Sequence, residues 1–334
     1  MIRRLPALFV IAIAANIVIG IASLATGPVH VPWHAVLGAL RGRAPSSTSS
    51  VIVLQLRLPR VLSAALVGAG LALAGAVLQS LLRNPLAEPF TLGVSGGAGF
   101  FVTALAAFAP ECFARPLAAS GAGFAGALLS GALVFWLARR HGFTNTALIL
   151  CGVILSFFFD SLVLVNFTVG RPEALQSAMT WLSGDFSLAS GATTTWTLVG
   201  LLVPVAYMMV CAEDLDVMAL GEDRAFCLGL PVARIRRLLF IAAALVTGVC
   251  VAAGGIIGFV GFMIPHLARL LGGARHRTLL PLAALLGAVF LMASDTLARS
   301  LFTPLELPVG ACTGVIGAGF FLAYSWRGGV REVA

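Results

Sequence analysis

The sequence predicts an all-α fold, a polytopic membrane protein of about ten transmembrane helices with both termini in the cytoplasm. Three observations carry that prediction. Of the 334 residues 60% are hydrophobic and 10% charged, whereas soluble domains carry roughly 25% charge. Apolar segments of membrane-spanning length recur along the whole chain. The basic residues, every one an arginine, fall singly between those segments.

Candidate spans lie near residues 6–26, 61–82, 91–109, 116–138, 144–166, 192–212, 238–256, 257–271, 279–298 and 308–326. The first follows Arg3-Arg4, and its apolar run of about 20 residues exceeds the roughly 7–15 of a signal-peptide core, so it reads as a retained helix. The second, Val61 to Leu82, spans roughly 30 Å as a helix, the thickness of a hydrocarbon core. Polar, proline-bearing signatures fence it, Arg57-Leu58-Pro59-Arg60 before and Arg83-Asn84-Pro85-Leu86-Ala87-Glu88-Pro89 after. The seventh and eighth spans are parted only by a Gly254-Gly255 turn. Glycine, present 37 times, lets helices approach closely in lipid, where no hydrophobic force drives them together.

Short loops rich in arginine stay cytoplasmic. With ten spans and the N-terminus inside, 14 of the 21 arginines fall on the cytoplasmic side and 7 outside. The chain then reads as one membrane domain over residues 1–334, with a cytoplasmic segment at 213–237 and periplasmic segments at 27–57 and 167–191. The first periplasmic segment is expected to hold an interfacial piece and then a flexible loop around Pro45-Ser46-Ser47-Thr48-Ser49-Ser50. The second is expected to lay a short helix at the outer mouth, with Trp181 and Phe186 among polar residues.

Composition also excludes functions. Without lysine the chain lacks an ordinary Walker A site, so any ATP hydrolysis belongs to a separate subunit. The formal charge of +8 is dispersed between spans and forms no nucleic-acid stripe. Six scattered cysteines with no Cys-x-x-Cys pair read as small hydrophobes. No metal site is expected: His30 and His34 lack a third ligand, and His266 reads as a helix-packing group. Asp160 and Asp295 fall near outer span ends, where water or Arg299, one helical turn from Asp295, satisfies them.

Three motifs in order, Arg57-Leu58-Pro59-Arg60, Asn84-Pro85-Leu86-Ala87-Glu88-Pro89 and Leu92-Gly93-Val94-Ser95-Gly96-Gly97-Ala98, resemble the permease subunits of type II ABC importers, the FecCD-like carriers of iron-siderophores, haem or cobalamin. The resemblance covers roughly residues 50–327. It implies a homodimer in a bacterial inner membrane, two ATP-binding-cassette subunits that use ATP and Mg, and a periplasmic or surface substrate-binding protein. The cargo it favours is an iron-siderophore chelate, with haem and cobalamin next. No cofactor is expected on this chain, and no catalytic residue.

Candidate sites follow from the residues and the resemblance together. The stretch Leu220-Gly221-Glu222-Asp223-Arg224-Ala225-Phe226-Cys227-Leu228-Gly229-Leu230-Pro231 is helix-sized and bounded by glycine and proline. It would present Leu220, Ala225, Phe226 and Leu228 either to headgroups or to a partner. Similarity to the family's coupling helices favours an ATPase and extends the contact to Gly221, Glu222 and Gly229. Arg57, Arg60 and Arg299 are candidates for docking the acidic lobes of a binding protein, since a guanidinium pairs carboxylates in a bidentate way. By resemblance alone, Asn84, Leu86, Thr144 and Asn145 lie at a cytoplasmic gate, although Asn-Pro is also an ordinary turn.

Two other classes fit less well. An ion-coupled secondary transporter would need midplane charge or a charge-flanked broken helix. An intramembrane metalloprotease would need a His-Glu-x-x-His motif, which is absent from the sequence.

Overall fold

A computed structural model describes residues 5–27, 31–42, 48–113, 115, 117–302 and 305–326. Both termini, His30, Arg43 and Ser47 lie outside the described residues. Each of the ten expected segments falls on a helix: α1 Leu5–Ala25, α2 Leu58–Leu82, α3 Val94–Phe108, α4 Ala118–Arg140, α5 Asn145–Val169, α6 Gly191–Val210, α7 Val232–Gly254, α8 Val260–Gly272, α9 His276–Ser300 and α10 Val309–Trp326. Seven of the described helices are long and apolar enough to cross a membrane; α3, α8 and α10 are shorter apolar helices.

The α2 helix is the core of the bundle, packed against α9, α7, α8 and α6. Small residues make that possible. A Cβ on Gly68 would overlap the carbonyl of Gly287 in α9, and one on Gly75 would overlap that of Gly261 in α8. Helix α1, by contrast, buries only Ala12, Ser23 and Leu24. It is held by Asn16 Nδ2, which donates to Leu285 O at 3.1 Å, and by a hydrogen bond between Ser23 and Thr296.

The two segments expected to be periplasmic are both partly helical. Trp33–Leu40 is helical, as an interfacial piece would be, but Thr48 begins a helix that continues unbroken into α2 for 35 residues. Ile52–Arg57 within it is a π-helical turn. Proline lacks an N–H and its ring clashes with the carbonyl four residues back. Widening the turn before Pro59 relieves this, and Leu58 N accordingly reaches back five residues to Val53 O.

The second segment does form a short helix, Pro172–Leu182, which buries one face, Leu175, Ala178 and Trp181, while most of its other residues stay exposed. Trp181 is 8% exposed and Phe186 1%. The Trp181 ring fills the space left by Gly123 of α4, Leu182 that left by Gly99 of α3, and Phe186 that left by Gly254. Their large apolar area outweighs the polarity of the neighbouring residues.

The shortness of α3 and α8 has one cause. After α2 ends, the chain turns back so that Pro89 packs against Gly261, which itself abuts Leu71 O near the middle of α2. A 3-10 turn, Pro89–Leu92, then leads into α3. Both α3 and α8 therefore start part-way along the bundle. The break between α7 and α8 needs Gly255, at φ 72, where any Cβ would also strike Trp181 O.

Candidate functional site

At one end of the bundle, the start of α2 and the end of α9 bring Arg60 and Arg299 against Asp295, with Arg57 beside Arg299. Arg60 makes a bidentate pair, its Nε 3.0 and 3.1 Å from the two Asp295 oxygens and its Nη2 2.9 Å from Oδ1. Its Nη1 reaches Glu306 Oε2 at 2.9 Å. Arg57 donates from Nη1 to Leu24 O at 2.8 Å and Ala25 O at 3.0 Å. Arg299 donates to Ser23 O and stands 3.6 Å from Asp295 Oδ2. The last carbonyls of a helix have no partner within it, so two guanidinium groups cap the end of α1.

The sequence reading made these arginines candidates for a docking surface, with an internal pair to Asp295 as the other reading of Arg299. In the structure Arg57 is 5% exposed and Arg299 2%, and only Arg60, beside Glu306, borders solvent. Desolvated guanidinium groups need carbonyls or carboxylates around them, and α1 and α9 supply both.

Half-way along the bundle the broken helix α8 is capped from another segment. Glu88 Oε1 accepts a hydrogen bond from Phe259 N at 2.6 Å, at the positive end of the α8 dipole. Gln79 of α2 adds a second tie, donating from Nε2 to Gly261 O at 3.3 Å and Phe262 O at 3.2 Å, while its Oε1 accepts from Arg269 Nη1 at 2.6 Å. Sequence reasoning assigned neither Glu88 nor Gln79 a role. Glu88 was visible as the one acid of its proline-bearing motif; Gln79, amid leucines, was the one polar amide in α2.

At the opposite end the expected gate residues come together. Asn84 Oδ1 accepts from Leu86 N at 2.9 Å, a local Asx turn, and Leu86 is 62% exposed. Thr144 is the N-cap of α5, accepting from Ala147 N at 3.2 Å. Asn145 Nδ2 donates to Leu82 O at 3.1 Å, so the start of α5 is tied to the end of α2 beside Asn84.

The expected coupling segment is two short helices, Ala212–Ala219 and Glu222–Cys227. Leu220, Phe226 and Leu228 project, at 57%, 75% and 66% exposure, and Gly221 and Gly229 occupy backbone conformations with φ 122 and 84 that glycine tolerates best. Ala225 does not belong to this exposed face. It is fully buried, because it is the inward side of a helix too short to turn every residue outward. Glu222 opens the second helix.

Helices α5 and α10 show unpartnered apolar faces. Leu150, Ile154, Phe157 and Phe158 project from α5, and Val315 and Leu322 from α10. A model of the FecCD transport family matches residues 15–327. The chain belongs to that family. It is 37% identical over 330 residues to the Fe(3+)-citrate import system permease protein YfmE of Bacillus subtilis, covering 96% of this chain and 94% of that one. It is 42% identical over 277 residues to the vitamin B12 import system permease protein BtuC of Vibrio cholerae, covering 83% of each. A solved metal-chelate type ABC transporter in an inward-facing conformation superimposes with a TM-score of 0.85 at 31% identity, covering 96% of this chain and 99% of that one.

This FecCD member is thus a permease subunit of a type II ABC importer and a multi-span membrane protein. Its family accounts for the layout described above. A transport permease requires no catalytic constellation of its own, and the buried polar groups at each level tie helices to one another.

Proposed function

We propose that two copies of this FecCD permease form the pathway of an ATP-driven importer in a bacterial inner membrane and that its cargo is an iron-siderophore chelate. The observation that carries the reading is the exposed trio of Phe226 on the short helix Glu222–Cys227 and Leu220 and Leu228 flanking it. Such a knob suits a groove on a separate ATPase, and the chain's lack of lysine leaves ATP and Mg chemistry to that subunit. Gly221, Glu222 and Gly229 shape the same segment. In such a dimer Asn84, Leu86, Thr144 and Asn145 would lie at the inner end of the shared pathway.

A binding protein would approach the end that carries Arg60 and Glu306. An acidic partner reaches Arg57 and Arg299 only by displacing the carbonyls of α1, so Arg60 is assigned the contact and the other two the bracing of it. The iron-citrate relative matches nearly the whole chain; cobalamin is the second reading, favoured by the higher identity to the vitamin B12 permease. Vesicles containing permease, ATPase and binding protein are assayed for ATP-dependent entry of radioactive iron-siderophore and of cobalamin. Entry of the iron chelate alone supports the proposal; entry of cobalamin alone replaces its cargo.

A further inference from the structure

Two cavities open on the end of the bundle that carries the coupling segment, and they share Leu270, Ala274 and Arg275. The larger, about 940 Å³, is lined by Arg83, Arg269 and Arg275 and contains one carboxylate, Asp216. That carboxylate is already engaged: its Oδ1 accepts from His276 N at 3.0 Å and lies 2.6 Å from His276 Nδ1. Arg83 gives one contact to Met218 O at 3.2 Å and Arg269 one to Gln79 Oε1. A guanidinium has five donors, so both retain capacity. Arg275 is exposed and caps nothing with its side chain. The cavity therefore holds an excess of positive charge.

The second cavity, about 760 Å³, is an apolar crevice between the first turns of α1 and the end of α8. Gly272 is its floor, where a Cβ would meet Leu282 Cδ2 at 2.7 Å and Leu8 Cδ2 at 3.8 Å. Ile11, Leu270 and Leu271 line it and are 65%, 52% and 53% exposed. A soluble anion would need only the first cavity, and a protein partner would not need a greasy crevice along a helix that faces lipid. A cationic pocket continuous with an apolar groove at one membrane boundary matches a molecule with an anionic head and acyl chains, and basic pockets between membrane helices bind such headgroups.

We propose that this end of the bundle holds one anionic phospholipid, its phosphate among Arg275, Arg269 and Arg83 and its chains along Leu8, Ile11 and Leu271. Lipid bound there would join α1, otherwise weakly packed, to α8 and α9. This depends on the chain lying in a bilayer and is independent of its cargo.

The test uses the full-length permease, delipidated in a neutral detergent and offered equal amounts of phosphatidylglycerol and phosphatidylcholine. Bound lipid is read by native mass spectrometry and stability by thermal melting. An anionic headgroup among the three arginines should show a preference for phosphatidylglycerol of about tenfold or more, with a raised melting temperature. Arg275→Gln should cut that preference severalfold, and Ala274→Trp, which fills the junction of the two cavities, should reduce retention of the lipid; both positions are exposed, so folding is preserved. Equal retention of the two lipids, or undiminished preference in either variant, overturns the proposal. So does an equal rise in melting temperature with inorganic phosphate alone, which would identify a soluble anion as the occupant.

Discussion

Arg60 and Asp295, separated by 235 positions in sequence, form a two-pronged ion pair, with Asp295 1% and Arg60 11% exposed. The nearer candidate by sequence, Arg299 at i+4, sits farther from Asp295, at 3.6 Å, because its guanidinium is turned toward α1.

Removing one member of a buried pair costs about 3–5 kcal/mol when it strands the other; here Asp295 keeps Arg299 and Arg60 keeps Glu306. Arg60→Ala and Asp295→Ala should therefore each lower stability by less than that amount, while the double variant should lose less than the sum of both. Thermal unfolding of the four proteins in detergent checks this. Strict additivity would mean that the two groups do not interact.

Glu88 caps α8 through Phe259 N. Glu88→Gln retains an acceptor and should be nearly neutral, whereas Glu88→Ala should cost about 0.5–2 kcal/mol, the range for a lost cap. Hydrogen exchange at the first turn of α8 should rise only in the alanine variant; equal exchange in both would remove the capping role.

The glycine contacts of α2 predict a contrast between positions. Gly75→Ala drives a methyl into Gly261 O and should destabilise by about 1–3 kcal/mol, as overpacking does. Gly314→Ala, which meets nothing within 4 Å, should be harmless. Their melting temperatures, measured side by side, decide it.

For the coupling segment, Leu220→Asp combined with Leu228→Asp should abolish copurification with the ATPase while the permease still elutes as a folded species. Ala225→Asp should instead damage the permease itself, since it buries an unpaired charge. Retained ATPase binding in the leucine double variant would refute the assignment.

Orientation can be read from native residues. Cys112 and Cys227 are exposed, whereas Cys151, Cys211 and Cys250 are buried, and burial pushes the Cys211 thiol pKa up, which suppresses its reactivity further. A membrane-impermeant thiol reagent applied to intact cells should modify Cys112 and spare Cys227. The reverse pattern would invert the topology.

Helix positions were legible because an apolar run in a scarcely charged chain has few other fates, and the motif order was specific enough to indicate the family. What remained hidden concerned depth. Trp181 and Phe186 lie among serines and glycines in sequence, and only the notches at Gly123 and Gly254 show that their rings belong inside. The helix before Pro59 was obscured because a proline normally marks a boundary, whereas here a π turn absorbs it. The outer arginines were recognised as a group, but exposure cannot be read from a tetrapeptide. Their occupancy by α1 carbonyls depends on contacts more than thirty positions away. Asn145, the expected gate residue least matched by the family pattern, holds the end of α2 directly.

The continuous helix from Thr48 to Leu82, 35 residues, is roughly 50 Å long at about 1.5 Å per residue. Arg60 and Asp295 hold it about a third of the way along, and Asn145 holds Leu82 O at its far end. It can therefore work as a lever with unequal arms: pivoting at the Gly68 contact, about 30 Å from Thr48 and about 21 Å from Leu82, a tilt of about 5° would carry the two tips roughly 3 Å and 2 Å in opposite directions. Leverage of this kind would let a small displacement on one side of the membrane be felt on the other without any side chain relaying it.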